Sequence, residues 1–176
     1  MSKIYFDTET TSLNPHNKEA KLLTIQLGIE RKDGLQLIVF STEFNTEFEV
    51  INKMNILFKE DRFTPIFTYN GLFDILYLMG RCDELGNKAL HGNIIQLFNS
   101  HLKHCDLMQY NNGYFMSLDS VCLEYGIKGK SKFSGKDVYS LYRNDMFNDI
   151  IEHGKDDIMR LYRLVHETTL ADRFLI

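Results

Sequence analysis

Residues 22–30 read Leu-Leu-Thr-Ile-Gln-Leu-Gly-Ile-Glu, with Leu23, Ile25, Leu27 and Ile29 at every second position. A period of two is what a strand with one face on a core requires, and a helix cannot satisfy it. An apolar run, Ile4-Tyr5-Phe6, sits in a strand expected over 3–8, and the Lys32-Asp33-Gly34 turn leads to another over 35–40. Three successive strands with short connections predict an antiparallel meander. From residue 47 the period changes: Val50, Ile51, Met54, Leu57 and Phe58 recur at helical spacing, which predicts a helix over 47–58. Pro65 then precedes a short strand over 66–69, which runs through Asn70-Gly71 into a helix over 72–81. A further strand is expected at 104–108, small helices at 117–125 and 135–142, and a long last helix at 146–168. Strands first, then strands alternating with helices, predict an α/β fold: a mixed β-sheet, antiparallel meander plus parallel strands, flanked by helices.

The 176 residues contain no internal repeat, low-complexity tract or linker, so a single domain over 1–176 is expected. A chain of this size buries roughly 70% of the surface its unfolded form exposes. Cys82, Cys105 and Cys122 are odd in number and widely spaced, which reads as reduced, mostly buried thiols. No basic leader, cleavage site or run of about 18 apolar residues is present, so a cytoplasmic protein without a membrane partner is expected. The formal net charge of -4 argues against a nucleic-acid partner only if the acids stand alone. Four carboxylates holding two divalent cations would bring the loaded chain to neutrality.

The acids are placed where chemistry needs them. Asp7 and Glu9, in Phe6-Asp7-Thr8-Glu9-Thr10, are two apart on a strand and so point the same way. An isolated pair of this kind is usually a solvated strand end, but here an apolar run leads into it, as for a buried strand ending at a site. Two carboxylates on one face repel unless a cation lies between them. Asp74 falls in the first turn of a helix, where the macrodipole favours an anion. It is flanked by Phe73, Ile75 and Leu76, a costly setting for a charge without a partner. In the last helix, with Ile158 as zero and about 100° per residue, Leu161, Tyr162, Leu164 and Val165 define an apolar stripe that includes Asp157. Asp156 falls on the opposite side, so Asp157 is expected to turn inward and Asp156 to face solvent. His153 lies four residues before Asp157, on nearly the same face.

Asp-x-Glu in a first strand, Asn70-x-x-Phe73-Asp74 after a later strand, and an Asp in a C-terminal helix together resemble the DEDD superfamily of 3′-5′ exonucleases, which has an RNase H-like fold. The middle of the chain extends the likeness. Leu118-Asp119-Ser120-Val121, Tyr125-Gly126-Ile127-Lys128-Gly129-Lys130, Ser134-Gly135, and Asp157-Ile158 with Leu161-Tyr162 and Leu164 are similar to exonuclease domains related to family B DNA polymerases. The resemblance implies two divalent cations, Mg²⁺ or Mn²⁺, held by Asp7, Glu9, Asp74 and Asp157, one activating water and one stabilising the departing 3′-oxygen. His153 would orient or deprotonate the attacking water. In that branch the residue four before the last acid is usually Tyr, whereas members that use His carry it five before. His153 has the Tyr spacing, which leaves the identity of the base open.

Substrate contacts are expected from Thr8, Thr10 and Leu13, from Asn70 and Phe73 against bases, and from Lys128, Lys130, Lys132 and Lys136 along the phosphates. His101, His104, Cys105 and Asp106 read as part of a strand rather than as a metal site. The partner implied is a nucleic-acid 3′ end, DNA in preference to RNA, with a polymerase or repair protein possible in trans. The alternatives are an exoribonuclease and a nuclease-like binding module without turnover.

Overall fold

The computed structural model describes residues 2–60, 63–99, 104–111, 114–129 and 132–172. The chain opens with β1 (Ser2–Thr10), β2 (Leu22–Arg31) and β3 (Gly34–Ser41), continues through α1 (Glu47–Glu60) and β4 (Phe63–Thr68), and adds α2 (Gly71–Glu84) and α3 (Lys88–Asn99) before β5 (His104–Asp106). A small hairpin, β6 (Tyr110–Asn111) and β7 (Tyr114–Phe115), precedes α4 (Leu118–Glu124), α5 (Val138–Arg143) and α6 (Phe147–Glu167).

The main sheet has the order β3-β2-β1-β4-β5. β3, β2 and β1 form the expected antiparallel meander, while β1 and β4, and β4 and β5, run parallel. One of its two connections is not short: residues 11–21 separate β1 from β2. α3 and the β6–β7 hairpin stand beyond the elements expected above.

β1 is the central strand, and its alternation divides the core. Ile4 and Phe6 join Ile25, Leu27, Ile29 and residues of α1, α2 and α3 on one face. Tyr5 turns to the other face, where Phe67 and the α6 residues Ile158, Leu161, Leu164 and Val165 are packed. Asp7 and Glu9 share the parity of Tyr5, so the same alternation carries them toward α6. β2 is buried from Leu22 to Ile29, including Thr24 and Gln26, because α6 covers its polar face. The three cysteines are buried. Among the described residues no helix is long and apolar enough to cross a membrane.

Candidate active site

The site forms where the end of β1 meets the start of α2 and the middle of α6. Between β4 and α2 the chain reverses at Asn70, whose φ of 60° and ψ of 34° place it in the left-handed region. The Asn70 N–H donates to Asp106 Oδ1 at 2.8 Å, which holds the turn. Gly71 follows because a β-carbon there would press into the Thr68 side chain, lying 2.7 Å from its Cγ2. This turn directs Asp74 back onto β1. Thr8 donates to Asp74 Oδ1 from its backbone N–H at 3.0 Å and from its hydroxyl at 2.5 Å.

α6 supplies the opposite wall. It approaches β2 closely at Gly154, where a β-carbon would lie 2.5 Å from Gln26 Cδ and 2.8 Å from its Cγ. That approach seats the preceding residue, His153, over the end of β1. Its Nε2 lies 3.7 Å from Glu9 Oε1 and its Nδ1 3.8 Å from Asp157 Oδ1. Glu9, His153 and Asp157 each offer a donor atom within 4.8 Å of the others, a group able to hold a metal ion. Among the described residues Nδ1 of His153 is buried without a hydrogen-bond partner.

One turn beyond, buried Arg160 binds Asp157 and Asp119 and reaches Asp156 at 3.4 Å. The expectation that Asp156 faces solvent is therefore corrected: its side chain is only 10% exposed. Gly129 lies directly against its carboxylate, so a loop covers what the isolated helix would leave open.

Crowding these acids together raises their affinity for protons. Burial pushes the Asp7 carboxyl well above the usual range, and Asp74, Glu9 and Asp157 push it further. Glu9 is raised by burial and then by Asp157 and Asp74. Asp74 rises to about 7 through burial, although the Thr8 hydrogen bonds oppose the shift. Asp157 is raised by burial, with His153 and Arg160 pulling in the other direction. Buried carboxylates that repel one another, beside an imidazole nitrogen without a hydrogen-bond partner, fit a divalent cation and its hard oxygen ligands.

A cleft of about 530 Å³ opens over these groups. Asp7, Glu9, Asp74, His153 and Asp157 all line it, as do Thr8, Thr10, Leu13, Asn70, Phe73 and Lys136. The Thr8 hydroxyl is engaged with Asp74, whereas Leu13 stands 86% exposed at the rim. Lys128 and Lys132 are exposed and are not among the lining residues; Lys130 lies outside the described residues. His104 Nε2 bonds the Thr68 hydroxyl at 2.8 Å, and Asp106 holds the Asn70 turn. His101 lies outside the described residues. Sequence reasoning missed Arg160, Gly154, Gln26 and the aromatic side chains of Tyr69, Phe115 and Tyr139 in the cleft. Arg160 was detectable as a cation at helical spacing from both Asp156 and Asp157.

In overall fold the molecule is similar to the family B DNA polymerase of the hyperthermophilic archaeon Pyrobaculum calidifontis, with a TM-score of 0.69 and 18% identity over 95% of this chain. The match spans 24% of the polymerase chain, so it speaks to the fold alone. Residues 20–172 match the family described as predicted 3′-5′ exonuclease related to the exonuclease domain of PolB, and the chain belongs to that family. It is accordingly an enzyme of the 3′-5′ exonuclease class. The matched residues include Asp74, His153 and Asp157 but begin after β1. Asp7 and Glu9 thus join the site on geometry. No curated protein sequence matches the chain.

Proposed function

We propose that the chain is a metal-dependent 3′-5′ exonuclease that removes nucleotides from single-stranded DNA, with Asp7, Glu9, Asp74 and Asp157 holding two divalent cations, Mg²⁺ or Mn²⁺. The observation that carries this reading is the convergence in one cleft of four acids from three distant segments, with His153 between two of them. When bound, the cations would supply Lewis-acid activation of water and stabilise the departing 3′-oxygen. The chain's own groups hold and orient. Thr8 fixes Asp74, and Arg160 fixes Asp157. Leu13, Phe73 and Phe115 offer apolar surface beside the acids, suited to unstacked bases of a single strand. Among the described residues Lys136 lines the cleft and would meet a phosphate there. Water adds to the terminal phosphorus as the bond to the 3′-oxygen breaks, releasing a nucleotide and a strand one residue shorter. We take residues 1–176 as one domain acting on a nucleic-acid 3′ end, alone or beside a polymerase or repair protein in trans.

The test is incubation of 5′-labelled single-stranded DNA, duplex DNA and RNA with Mg²⁺ or Mn²⁺. A ladder shortening from the 3′ end of single-stranded DNA, abolished by chelator and by Asp7→Asn, is the expected result. A ladder on RNA alone would replace the DNA reading with the ribonuclease one. Binding to every substrate without cleavage would leave a binding module.

A further inference from the structure

We infer that His153 is itself a ligand of the cation that Glu9 and Asp157 hold, so that this position combines one nitrogen with two carboxylates and prefers a first-row transition cation over Mg²⁺. The inference rests on reading the cleft as a metal centre, and it reassigns His153 from the water-directed role that its residue type suggests.

Three observations point to ligation. The ring is nearly sealed, with a side-chain exposure of 3%. It sits at the floor of the cleft between Glu9 and Asp157, so the groups nearest its nitrogens are carboxylates. The nitrogens face the two carboxylates at 3.7 and 3.8 Å, beyond hydrogen-bond distance. A single ion takes only one ring nitrogen, and one donor atom from each of Glu9, His153 and Asp157 lies within 4.8 Å of the others, near enough for the three to draw in around one cation. The third observation is Nδ1, buried and without a hydrogen-bond partner among the described residues. An ion would satisfy that ring directly, since a neutral imidazole nitrogen is a common metal ligand.

The nitrogen of this donor set decides selectivity. Mg²⁺ strongly favours oxygen and holds its water, whereas affinity for nitrogen-containing sites rises along the first transition row from Mn²⁺ onward. An imidazole in the first coordination sphere therefore shifts the competition toward Mn²⁺ and Co²⁺.

The experiment uses the full chain loaded with Mn²⁺ and reads electron spin echo modulation from ¹⁴N, which reports imidazole bound directly to the ion. His153→Gln and the smaller His153→Asn serve as controls, each checked for folding by circular dichroism. The expected result is ¹⁴N modulation in the native chain that both variants lose. In competition titrations the preference for Mn²⁺ over Mg²⁺ should fall about tenfold in the variants, reflecting loss of the nitrogen donor. Bound Mn²⁺ without ¹⁴N modulation, or modulation that survives both substitutions, overturns the ligand role and leaves the four-acid centre standing. A chain that binds neither Mn²⁺ nor Mg²⁺ overturns the metal centre itself, and the ligand role with it.

Discussion

Arg160 makes one guanidinium answer to Asp119, Asp156 and Asp157, and the last of these also faces His153. Adjacent acids in α6 thus have different work. Asp157 meets the cleft directly, whereas Asp156 acts on it through Arg160. Asp157→Asn is expected to reduce cleavage to background. Asp156→Asn should cost about tenfold, the usual range for groups that position a ligand. Nuclease assays on both folded variants check this, and a wild-type rate in Asp156→Asn would show that Arg160 holds Asp157 unaided. The inward turn of Asp157 was legible from helical periodicity alone. The burial of Asp156 was not, because the covering backbone at Gly129 comes from a segment with no periodicity to place it.

The approach of α6 to β2 is set by a single missing side chain. Gly154→Ala would gain helix propensity worth about 1 kcal/mol. It would also drive a methyl into Gln26, which is buried and already donates to Thr24 Oγ1 at 2.5 Å. Overpacking of this kind costs about 1–3 kcal/mol, so the net change should be destabilising. Because His153 is the next residue, activity should fall more than stability, and Gln26→Ala in the same chain should restore part of both. Thermal melts and turnover of the single and double variants decide; a Gly154→Ala chain more stable than the parent would mean that the helix sits farther from the sheet. The elements themselves were unevenly legible. β2 declared itself by strict alternation, as did α6 by its apolar stripe. α3 hid because Gly92 interrupts it, although Leu90, Ile94 and Phe98, spaced by four and all buried, carried the signal. Near the β6–β7 pair the sequence carries Asn112-Gly113, a dipeptide that favours hairpins, although these two residues lie outside the described ones.

Across the whole molecule, the clustered acids tie stability to pH. Unfolded Asp and Glu titrate near 3.9 and 4.3, whereas Asp7 and Glu9 are raised well above their usual range and Asp74 to about 7. Between these limits the folded chain holds more protons than the unfolded one. Its metal-free stability should therefore be fully supported by these groups below about pH 4 and decline as pH rises through 7. Cations compete with protons for the same oxygens, so the rise in Tm on adding Mn²⁺ should be larger at pH 8 than at pH 5.5. A hundredfold excess over the dissociation constant is worth about 2.7 kcal/mol. Melting curves in chelator and in Mn²⁺ across this range test it: a metal-free Tm that climbs from pH 5 to 8 would contradict the shared burial of the acids. The mixed sheet, a meander joined to parallel strands, was readable in outline, and so were the four acids that line one cleft. Their mutual distances were not, since these depend on how far α6 sinks toward β2.

β1 occupies the middle of the sheet, yet both strands that flank it, and the helix that closes over its acids, come later in the chain. Chain order therefore places the first pair of carboxylates ahead of every group they meet: Asp74 follows them, and His153 and Asp157 come later still. A chain cut before α6 would keep Asp7, Glu9 and Asp74 and lack both remaining groups, so the cluster is whole only when α6 is joined to the sheet.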